Sequence, residues 1–210
     1  MTSMLLNDVT AALNLDSDES EEQYLISGVS WQQYEILLNR LGDSPWYRVA
    51  YLEGVLEIMA PSRRRESKKD NIGRLLSSYF EEARIRFYGL GSTTFRRKLK
   101  ERGAEPDVSY CIGTEKEFPD LAIEVIETSG GVDKLSIYKG LGVSEVWFWQ
   151  QSRFEIHRLR GDEYEQIVAS ELLPNLDLTL LATYIEHPEP LAAILEFRAK
   201  IRAQMGKSLS

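Results

Sequence analysis

Residues 121–126 read LAIEVI, a run that is apolar at every position except Glu124. A short run of this kind is expected of a β-strand that lies inside a sheet and is covered on both faces. An unpaired carboxylate would be costly to bury in the middle of such a strand. Glu124 is therefore the first candidate for a residue with a chemical role.

A second carboxylate precedes the neighbouring predicted strand. Pro106-Asp107 leads into residues 107–112, which we predict to be that strand. If the two strands pair, ~4.8 Å apart, Asp107 and Glu124 can converge on one divalent ion. Hard cations such as Mg²⁺ prefer carboxylate oxygens together with water and phosphate. Lys134, farther along the chain, can orient a water or neutralise charge on a phosphorus centre.

Helical and strand patterns alternate along the chain, with more strands in its second half. This order predicts an α/β (α+β) protein with a mixed central β-sheet flanked by helices. Residues 1–29 lack durable periodicity, so we expect a flexible acidic leader there, followed by a single domain at 30–210 with a C-terminal helix. The remaining predicted elements are helices at 31–41 (capped by Ser30), 62–87 and 132–141, and strands at 46–52, 55–59, 93–99, 145–149, 154–159 and 164–168.

The charge of the chain is unevenly distributed. The 210 residues carry a formal net charge of −8. Residues 63–102, the basic zone, hold thirteen basic and five acidic residues, a net +8, so the rest of the chain carries −16. Such a zone can bind phosphates while the acidic remainder suppresses promiscuous binding. A solvated helix face followed by a charged hairpin explains the same residues.

Residue counts exclude several kinds of site. The single cysteine, Cys111, excludes a disulfide framework and a cysteine-based zinc cage, and it fits a reducing compartment. Two histidines give little support to His-rich metal sites or to Ser-His-Asp catalysis. No run approaches the ~20 apolar residues of a membrane span, and the N-terminus lacks the features of a signal peptide. We expect a cytoplasmic protein with no membrane partner.

Several blocks of the sequence match a known family in order. A Pro-Asp pair, a strand glutamate and a nearby lysine resemble the PD-(D/E)xK phosphodiesterase superfamily, which has the restriction-endonuclease-like fold. Over roughly residues 46–181 the chain further resembles a cyanobacteria-rich family of Uma-type restriction endonucleases, once described as a domain of unknown function. The matching blocks are YLEGVLEIMAPS (51–62), RES (65–67), GSTTF (91–95), EPDVSY (105–110), DLAIEVIETSGG (120–131), DKLSIYKGLGVSEVWFW (133–149) and LLPNLDL (172–178).

The resemblance implies an endonuclease that hydrolyses DNA with Mg²⁺ or Mn²⁺ as its cofactor. Carried over by position, Asp107 and Glu124 are the metal ligands, Glu66 assists through a metal-bound water, and Lys134 positions the nucleophile. Because nucleases of this fold often act as dimers, the resemblance also implies a homodimer. Within the basic zone, the candidates for DNA binding are Arg96, Arg97, Lys98 and Lys100.

The chain departs from the family pattern at two positions. The superfamily lysine normally follows the strand glutamate by two residues, where this chain has Ile126. The resemblance is to variants whose lysine lies in the next helix, which makes Lys134 the candidate and Lys139 the reserve. Relatives often have His where this chain has Arg65. With the acidic net charge, these departures favour an alternative, a catalytically inactive or partner-dependent interaction module on the same fold.

Each candidate residue also has a purely structural explanation. Glu124 fits a buried acid paired with Lys134 or an arginine, and Asp107 fits a turn cap after Pro106. Glu66 is favoured in the first turn of a helix by the helix dipole, while Lys134 fits an ordinary surface lysine. Glu57 is either a further acid of the site or a polar residue that falls on the outer face of an alternating strand.

Overall fold

The structure is a computed structural model that describes residues 21–42, 46–128 and 130–207. The chain divides into two compact units. Unit 1 comprises Met1–Glu66, Thr94–Glu105 and Glu127–Leu141, and unit 2 comprises Ser67–Thr93, Pro106–Ile126 and Gly142–Ser210. The single domain expected at residues 30–210 stays a prediction.

The described residues contain eleven strands, five α-helices and one short 3₁₀ helix. The strands are β1 (Glu22–Ser27), β2 (Arg48–Leu52), β3 (Val55–Ala60), β4 (Phe87–Gly89), β5 (Phe95–Arg97), β6 (Arg102–Ala104), β7 (Val108–Ile112), β8 (Leu121–Val125), β9 (Glu145–Gln150), β10 (Arg153–Arg160) and β11 (Glu163–Ile167). The helices are α1 (Trp31–Leu41), α2 (Arg63–Ala83), α3 (Lys134–Leu141), α4 (Leu178–Ile185) and α5 (Pro190–Lys207), with the 3₁₀ helix at Lys98–Lys100.

The strands of unit 1 form an antiparallel sheet in the order β1-β3-β2-β6-β5. Helix α1 begins where it was predicted, because Ser30 and Gln33 form a reciprocal capping box at its first turn. Its aromatic residues pack on the sheet, where the rings of Tyr34 and Tyr51 stack with centroids 4.8 Å apart. The core of unit 1 consists of Val29, Trp31, Tyr34, Leu37, Val49, Tyr51, Leu56 and Ile58.

The flexible leader expected at residues 1–29 is wrong for its last part, because Glu22–Ser27 form β1. All six residues pair with β3 in antiparallel register. The segment EQYLIS is too short to show periodicity, and its structure depends on hydrogen bonds to a strand more than thirty residues later in the chain. Residues 1–20 of the expected leader lie outside the described residues.

Helix α2 ends four residues before its predicted end. Arg84 has a left-handed backbone, with φ of 53°, and the Ile85 N–H donates to the Phe80 carbonyl at 2.9 Å. This is a common way for a helix to end. Residues 87–89 then form β4, which pairs with β7, and three residues are too few to display an alternation that the sequence could reveal.

The strands of unit 2 form a mixed sheet in the order β11-β10-β9-β8-β7-β4. β8 and β9 are parallel, whereas the other neighbours are antiparallel. Strand β8 is buried at all five positions, as its apolar sequence predicts. Its neighbours in the core of unit 2 include Ile72, Leu76, Phe80, Trp147, Trp149 and Phe197.

Helix α4 was not predicted from the sequence. Asp177 caps it by accepting a hydrogen bond from the Leu180 N–H at 2.9 Å, and its buried side chains include Leu181 and Ile185. Helix α5 confirms the predicted C-terminal helix. None of the helices in the described part of the chain is both long and apolar enough to cross a membrane.

The helices and the two sheets confirm the α+β class and are consistent with a restriction-endonuclease-like fold. The mixed sheet was predicted, whereas the separate antiparallel sheet of unit 1 was not. The sequence predicts strands at β2, β3 and β5 but not at β6, where Gly103 was expected to form a turn, and it does not show which sheet each strand joins.

Candidate active site

In unit 2, Asp107 directly precedes β7 and Glu124 lies on the neighbouring strand β8. Val108 pairs with Ile123 in the antiparallel register of β7 and β8, so Asp107 and Glu124 form the next pair in the same register. Opposite residues of an antiparallel pair carry their side chains on one face, with Cβ atoms ~5 Å apart. The two strands do pair, as the proposed convergence of the acids requires, and Asp107 and Glu124 flank the pair Val108 and Ile123.

Both carboxylates are buried, with Asp107 and Glu124 each 1% exposed. Asp107 Oδ2 accepts a hydrogen bond from the Val125 N–H at 2.8 Å. The carboxylate therefore binds the neighbouring strand, which goes beyond the turn-capping role considered from the sequence. A buried, hydrogen-bonded acid on a strand is held in a fixed orientation, as a metal ligand or a catalytic group needs to be.

Lys134 lies at the start of α3, where its ammonium group contacts a buried acid of unit 1. Lys134 Nζ lies 2.6 Å from Glu57 Oε1. The second oxygen of Glu57 accepts from the Val132 N–H at 2.8 Å. Glu57 is 2% exposed, and Lys134 has only 15% of its side chain exposed. Lys134 is thus not an ordinary surface lysine, and Glu57 holds both its ammonium group and the backbone before it.

The Gly130-Gly131 pair before α3 is explained by the same glutamate. A Cβ atom at Gly131 would lie 2.4 Å from Glu57 Oε2 and 2.6 Å from the amide nitrogen of Gln23, so a larger residue would displace these side chains. Gly130 has a φ of 99°, which side chains rarely adopt. The loop therefore approaches Glu57 closely enough for the Val132 N–H to reach it.

Glu57 also shows why strand alternation fails in β3. The four central residues of that strand, Leu56, Glu57, Ile58 and Met59, are all buried. A strand covered on both faces has no solvent side on which an acid would be expected. The residue is therefore a buried acid with a lysine partner, and the signal in the sequence was its place among apolar neighbours.

Glu66 lies in the first turn of α2 and contacts Arg48 of β2 in unit 1. Arg48 Nη2 lies 3.3 Å from Glu66 Oε1, and Arg48 Nη1 lies 2.8 Å from Glu105 Oε1. The Glu66 side chain is 38% exposed, so its carboxylate remains open to water. One arginine therefore orients two acids, of which only Glu66 was predicted to act in the site.

Arg65, which stands where relatives often have His, is buried in an ion pair. Its Nη1 atom lies 3.0 Å from Glu21 Oε2, and both side chains are less than 5% exposed. The other oxygen of Glu21 accepts from the Thr128 hydroxyl at 2.6 Å. Glu21 falls in the acidic run assigned to the leader, so its role in unit 1 was missed from the sequence.

The basic zone is only partly available to a ligand. Lys68 pairs with Glu186, Arg74 with Asp70, and Arg102 with Glu53. The exposed side chains of Arg96, Lys98 and Lys100 lie on or beside the turn that joins β5 to β6. Arg97 is partly buried, and it donates to the Gly140 carbonyl at 3.2 Å. Three of the four predicted DNA contacts therefore face solvent.

The donor set of Asp107 and Glu124 suits a hard divalent cation. In the described part of the chain, no group of three or more His, Cys, Asp or Glu residues is placed to hold a metal ion. Mg²⁺ is usually bound through one or two carboxylates and keeps several of its waters. Two buried carboxylates on paired strands meet that requirement, and the remaining ligands would be water and substrate oxygens.

A further buried acid, Glu145, was missed from the sequence. It begins β9 and is 0% exposed. Its Oε2 atom accepts from Trp147 Nε1 at 3.0 Å and from the Ser170 hydroxyl at 2.7 Å, while Oε1 accepts from two backbone N–H groups, those of Glu171 and Leu172. Arg158 Nη1 also lies 3.6 Å from Oε1. These partners give Glu145 a structural role, joining β9 to β10 and to the segment that follows β11.

Tyr110 fixes α2 to β7 beside the acids. Its hydroxyl donates to the Gly73 carbonyl at 3.1 Å. Burial raises the pKa of this hydroxyl to about 12, so the group remains a hydrogen-bond donor throughout the neutral range. The contact stabilises the part of α2 that lies in unit 2.

One protein family matches the chain. The sequence model of the family described as "Uma2: Putative restriction endonuclease" matches residues 31–186, which is more than half of the chain. No curated protein matches it. The match includes every residue predicted for the site and for DNA binding.

Proposed function

The chain belongs to the Uma2 family of restriction endonucleases, and from this premise we propose that it is a metal-dependent DNA endonuclease of the PD-(D/E)xK type. The observation that carries the proposal is the pair of buried acids at β7 and β8. Asp107 directly precedes β7 and Glu124 lies on β8, next to the opposite pair Val108 and Ile123, in the order of the superfamily motif.

Asp107 and Glu124 would hold Mg²⁺ or Mn²⁺. When bound, such an ion supplies a water of lowered pKa and stabilises negative charge on the phosphate. The hydrogen bond from the Val125 N–H to Asp107 fixes one of the two ligands before any metal arrives. The supporting fact is the chemistry of the donors, since carboxylate oxygens are the ligands that these cations prefer.

Lys134 is the proposed group that orients the attacking water, and Lys139 is the reserve. The ion pair with Glu57 supports Lys134, because it holds the ammonium group in one place at the start of α3. Lys139 lies in the last turn of that helix. Glu66 is proposed to assist through a bound water, which its partly exposed carboxylate can reach.

Arg96, Arg97, Lys98 and Lys100 are proposed to contact the phosphate backbone of DNA. Binding of this kind weakens with salt in proportion to the number of phosphates neutralised. A variant with glutamine at all four positions should lower the slope of log affinity against log salt by about 3 to 4, measured by fluorescence anisotropy. Equal affinity of this variant and the wild type across the salt series would refute the contact.

A homodimer is proposed from the resemblance alone, since nucleases of this fold often cut both strands as dimers. Sedimentation equilibrium with and without DNA tests it. A mass of 48 kDa, twice the 24.1 kDa of the chain, is expected, and a monomer under both conditions would refute it.

The proposed activity is tested by incubating the protein with supercoiled, linear and single-stranded DNA in Mg²⁺ and in Mn²⁺. Asp107→Ala and Glu124→Ala variants and a chelator serve as controls. Cleavage by the wild type that is lost in both variants and in chelator is expected. Cleavage that persists in both variants would refute the assignment of the site.

A second candidate function is an inactive or partner-dependent interaction module. It is favoured by Ile126 at the usual lysine position and by Arg65, whose guanidinium is engaged by Glu21 where relatives often have a histidine. A ligand that binds the folded state raises the melting temperature. A module without a metal site should show no rise with Mg²⁺ or Mn²⁺, whereas a nuclease site should show one.

A further inference from the structure

The turn between β5 and β6 exposes a leucine completely. Leu99 is the middle residue of the 3₁₀ helix Lys98–Lys100 and is 96% exposed. Burying a leucine side chain is favourable, so a partner that covers Leu99 gains binding free energy. A single exposed leucine is ordinary on a protein surface, and its surroundings must therefore decide whether it has a role.

The surroundings of Leu99 are basic. Lys98 and Lys100 flank it on the turn, and Arg96 is exposed on β5 just before them. None of the ion pairs found among the described residues involves these three side chains. Glu101 is the only acid between Phe95 and Ala104. The apolar tip is thus surrounded by positive charge that no neighbouring acid of the described chain neutralises.

The hairpin that carries this tip is fixed at its base. Phe95, which pairs with Ala104, is 5% exposed, and the Glu53 N–H donates to the Glu101 carbonyl at 3.1 Å. Arg102 Nη2 lies 2.8 Å from Glu53 Oε1. The backbone before and after the turn is therefore bound to the sheet of unit 1, and only the three residues of the turn extend freely.

We propose that Leu99 is a wedge that inserts between stacked bases of duplex DNA, with Lys98 and Lys100 on the phosphates at either side. Proteins that kink duplex DNA insert apolar side chains such as leucine between base steps from the minor groove and place cations on the backbone. The inference rests on the proposed function, which supplies DNA as the substrate. It adds a contact to the bases that the four basic residues alone do not make.

A wedge unstacks bases, and unstacking can be measured without cleavage. Duplexes that carry 2-aminopurine at TA steps, which unstack easily, are titrated with protein in chelator. The wild type should raise the fluorescence of 2-aminopurine several-fold on binding. Leu99→Ala should bind about tenfold more weakly and lose most of the rise, while Leu99→Phe should restore it.

Val168→Ala provides the matched control. Val168 is also a fully exposed aliphatic residue, but it lies after β11 in unit 2, away in sequence from any cluster of basic residues. This variant should behave as the wild type does. Equal loss of signal in both variants, or an unchanged signal in Leu99→Ala, would overturn the wedge.

The outcomes separate the wedge from the proposed function. Binding and cleavage of DNA without any Leu99-dependent unstacking would overturn the wedge alone, whereas failure to bind DNA in any form would overturn the proposed function with it. The remaining comparison is binding of the wild type and Leu99→Ala to vesicles of anionic phospholipid. Leu99-dependent binding to vesicles without unstacking of DNA would assign the tip to a lipid surface and overturn the wedge.

Discussion

Two buried glutamates, one in each unit, differ in what they hold. Glu145 of unit 2 is 0% exposed and accepts hydrogen bonds from an indole, a hydroxyl and two backbone N–H groups, and its Oε1 atom lies 3.6 Å from Arg158 Nη1. Glu57 of unit 1 is 2% exposed and divides its oxygens between one backbone N–H and the ammonium group of Lys134. The two glutamates are almost equally buried, but they contact different groups.

The difference teaches that burial of an acid does not by itself indicate function. The donors around Glu145 belong to segments that it joins, so its carboxylate substitutes for missing backbone pairing. Each acid also contacts a cation, Arg158 for Glu145 and Lys134 for Glu57, but only Lys134 has a proposed chemical role. Asp107 is likewise held by a backbone N–H. It differs from Glu145 in that the proposed chemistry is assigned to the acid itself.

The largest effect on the rate of cleavage is expected at Asp107 and Glu124, the acids proposed to bind the metal. Asp107→Asn and Glu124→Gln should each lower the rate of DNA cleavage about a thousandfold, because several kcal/mol of charge stabilisation are lost and each 1.36 kcal/mol is a factor of ten. The control is Asp120→Asn. Asp120 also accepts a backbone hydrogen bond at 2.8 Å, from Ile112, but it has no proposed part in cleavage, so a similar loss there would contradict the distinction.

Glu145→Gln should affect stability and not chemistry. The substituted amide places a donor where the indole of Trp147 and the hydroxyl of Ser170 also donate, so the free energy of unfolding should fall by about 2 to 4 kcal/mol. Urea denaturation followed by tryptophan fluorescence measures the change. The cleavage rate per folded molecule should stay within twofold of the wild type, and a large loss of rate in folded protein would show that Glu145 acts in the site.

Glu57→Gln should lower the rate of cleavage per folded molecule. Lys134 keeps a polar neighbour but loses its anionic partner, and we expect kcat to fall ten- to a hundredfold with little change in KM, as for loss of a supporting contact at a metal site. Steady-state kinetics on a short DNA duplex measures kcat and KM separately. Glu53→Gln is the control, because Glu53 also pairs with a cation of unit 1 at 2.8 Å but is largely exposed; equal kinetics for the two variants would show that the Glu57 pair is structural.

Among the proposed site residues, the smallest effect on the rate of cleavage is expected at Glu66. A group that acts through a bound water contributes less than a direct ligand, so Glu66→Gln should lower cleavage by about tenfold or less. Glu105→Gln is matched to it, because both acids contact Arg48. If the two variants lower the rate equally, the effect comes from Arg48 and not from a role of Glu66 in the site.

The sequence was sufficient for those parts of the fold where local pattern and structure coincide. Strand β8 is apolar and buried throughout, and Glu124 is conspicuous in it. Helix α1 has both its apolar face and its capping residue Ser30 in the local sequence. The pairing of β7 with β8 was a condition set by the sequence reasoning, and the structure meets it.

The features that were missed depend on contacts between distant segments. The strand β1 exists through its hydrogen bonds to β3, and Glu21 is buried because Arg65 and Thr128 bind it. The local sequence of an acidic run does not indicate such distant partners. Glu145 was missed for the same reason, since its main-chain donors come from residues 171 and 172.

The central claim is that Asp107 and Glu124 form one site for a divalent cation. Isothermal titration of Mn²⁺ into the wild type, Asp107→Asn, Glu124→Gln and Asp120→Asn tests it most directly. One Mn²⁺ per chain should bind to the wild type and to Asp120→Asn, and binding should be lost in the other two. Absence of binding to the wild type, or unchanged binding to Asp107→Asn and Glu124→Gln, would contradict the account.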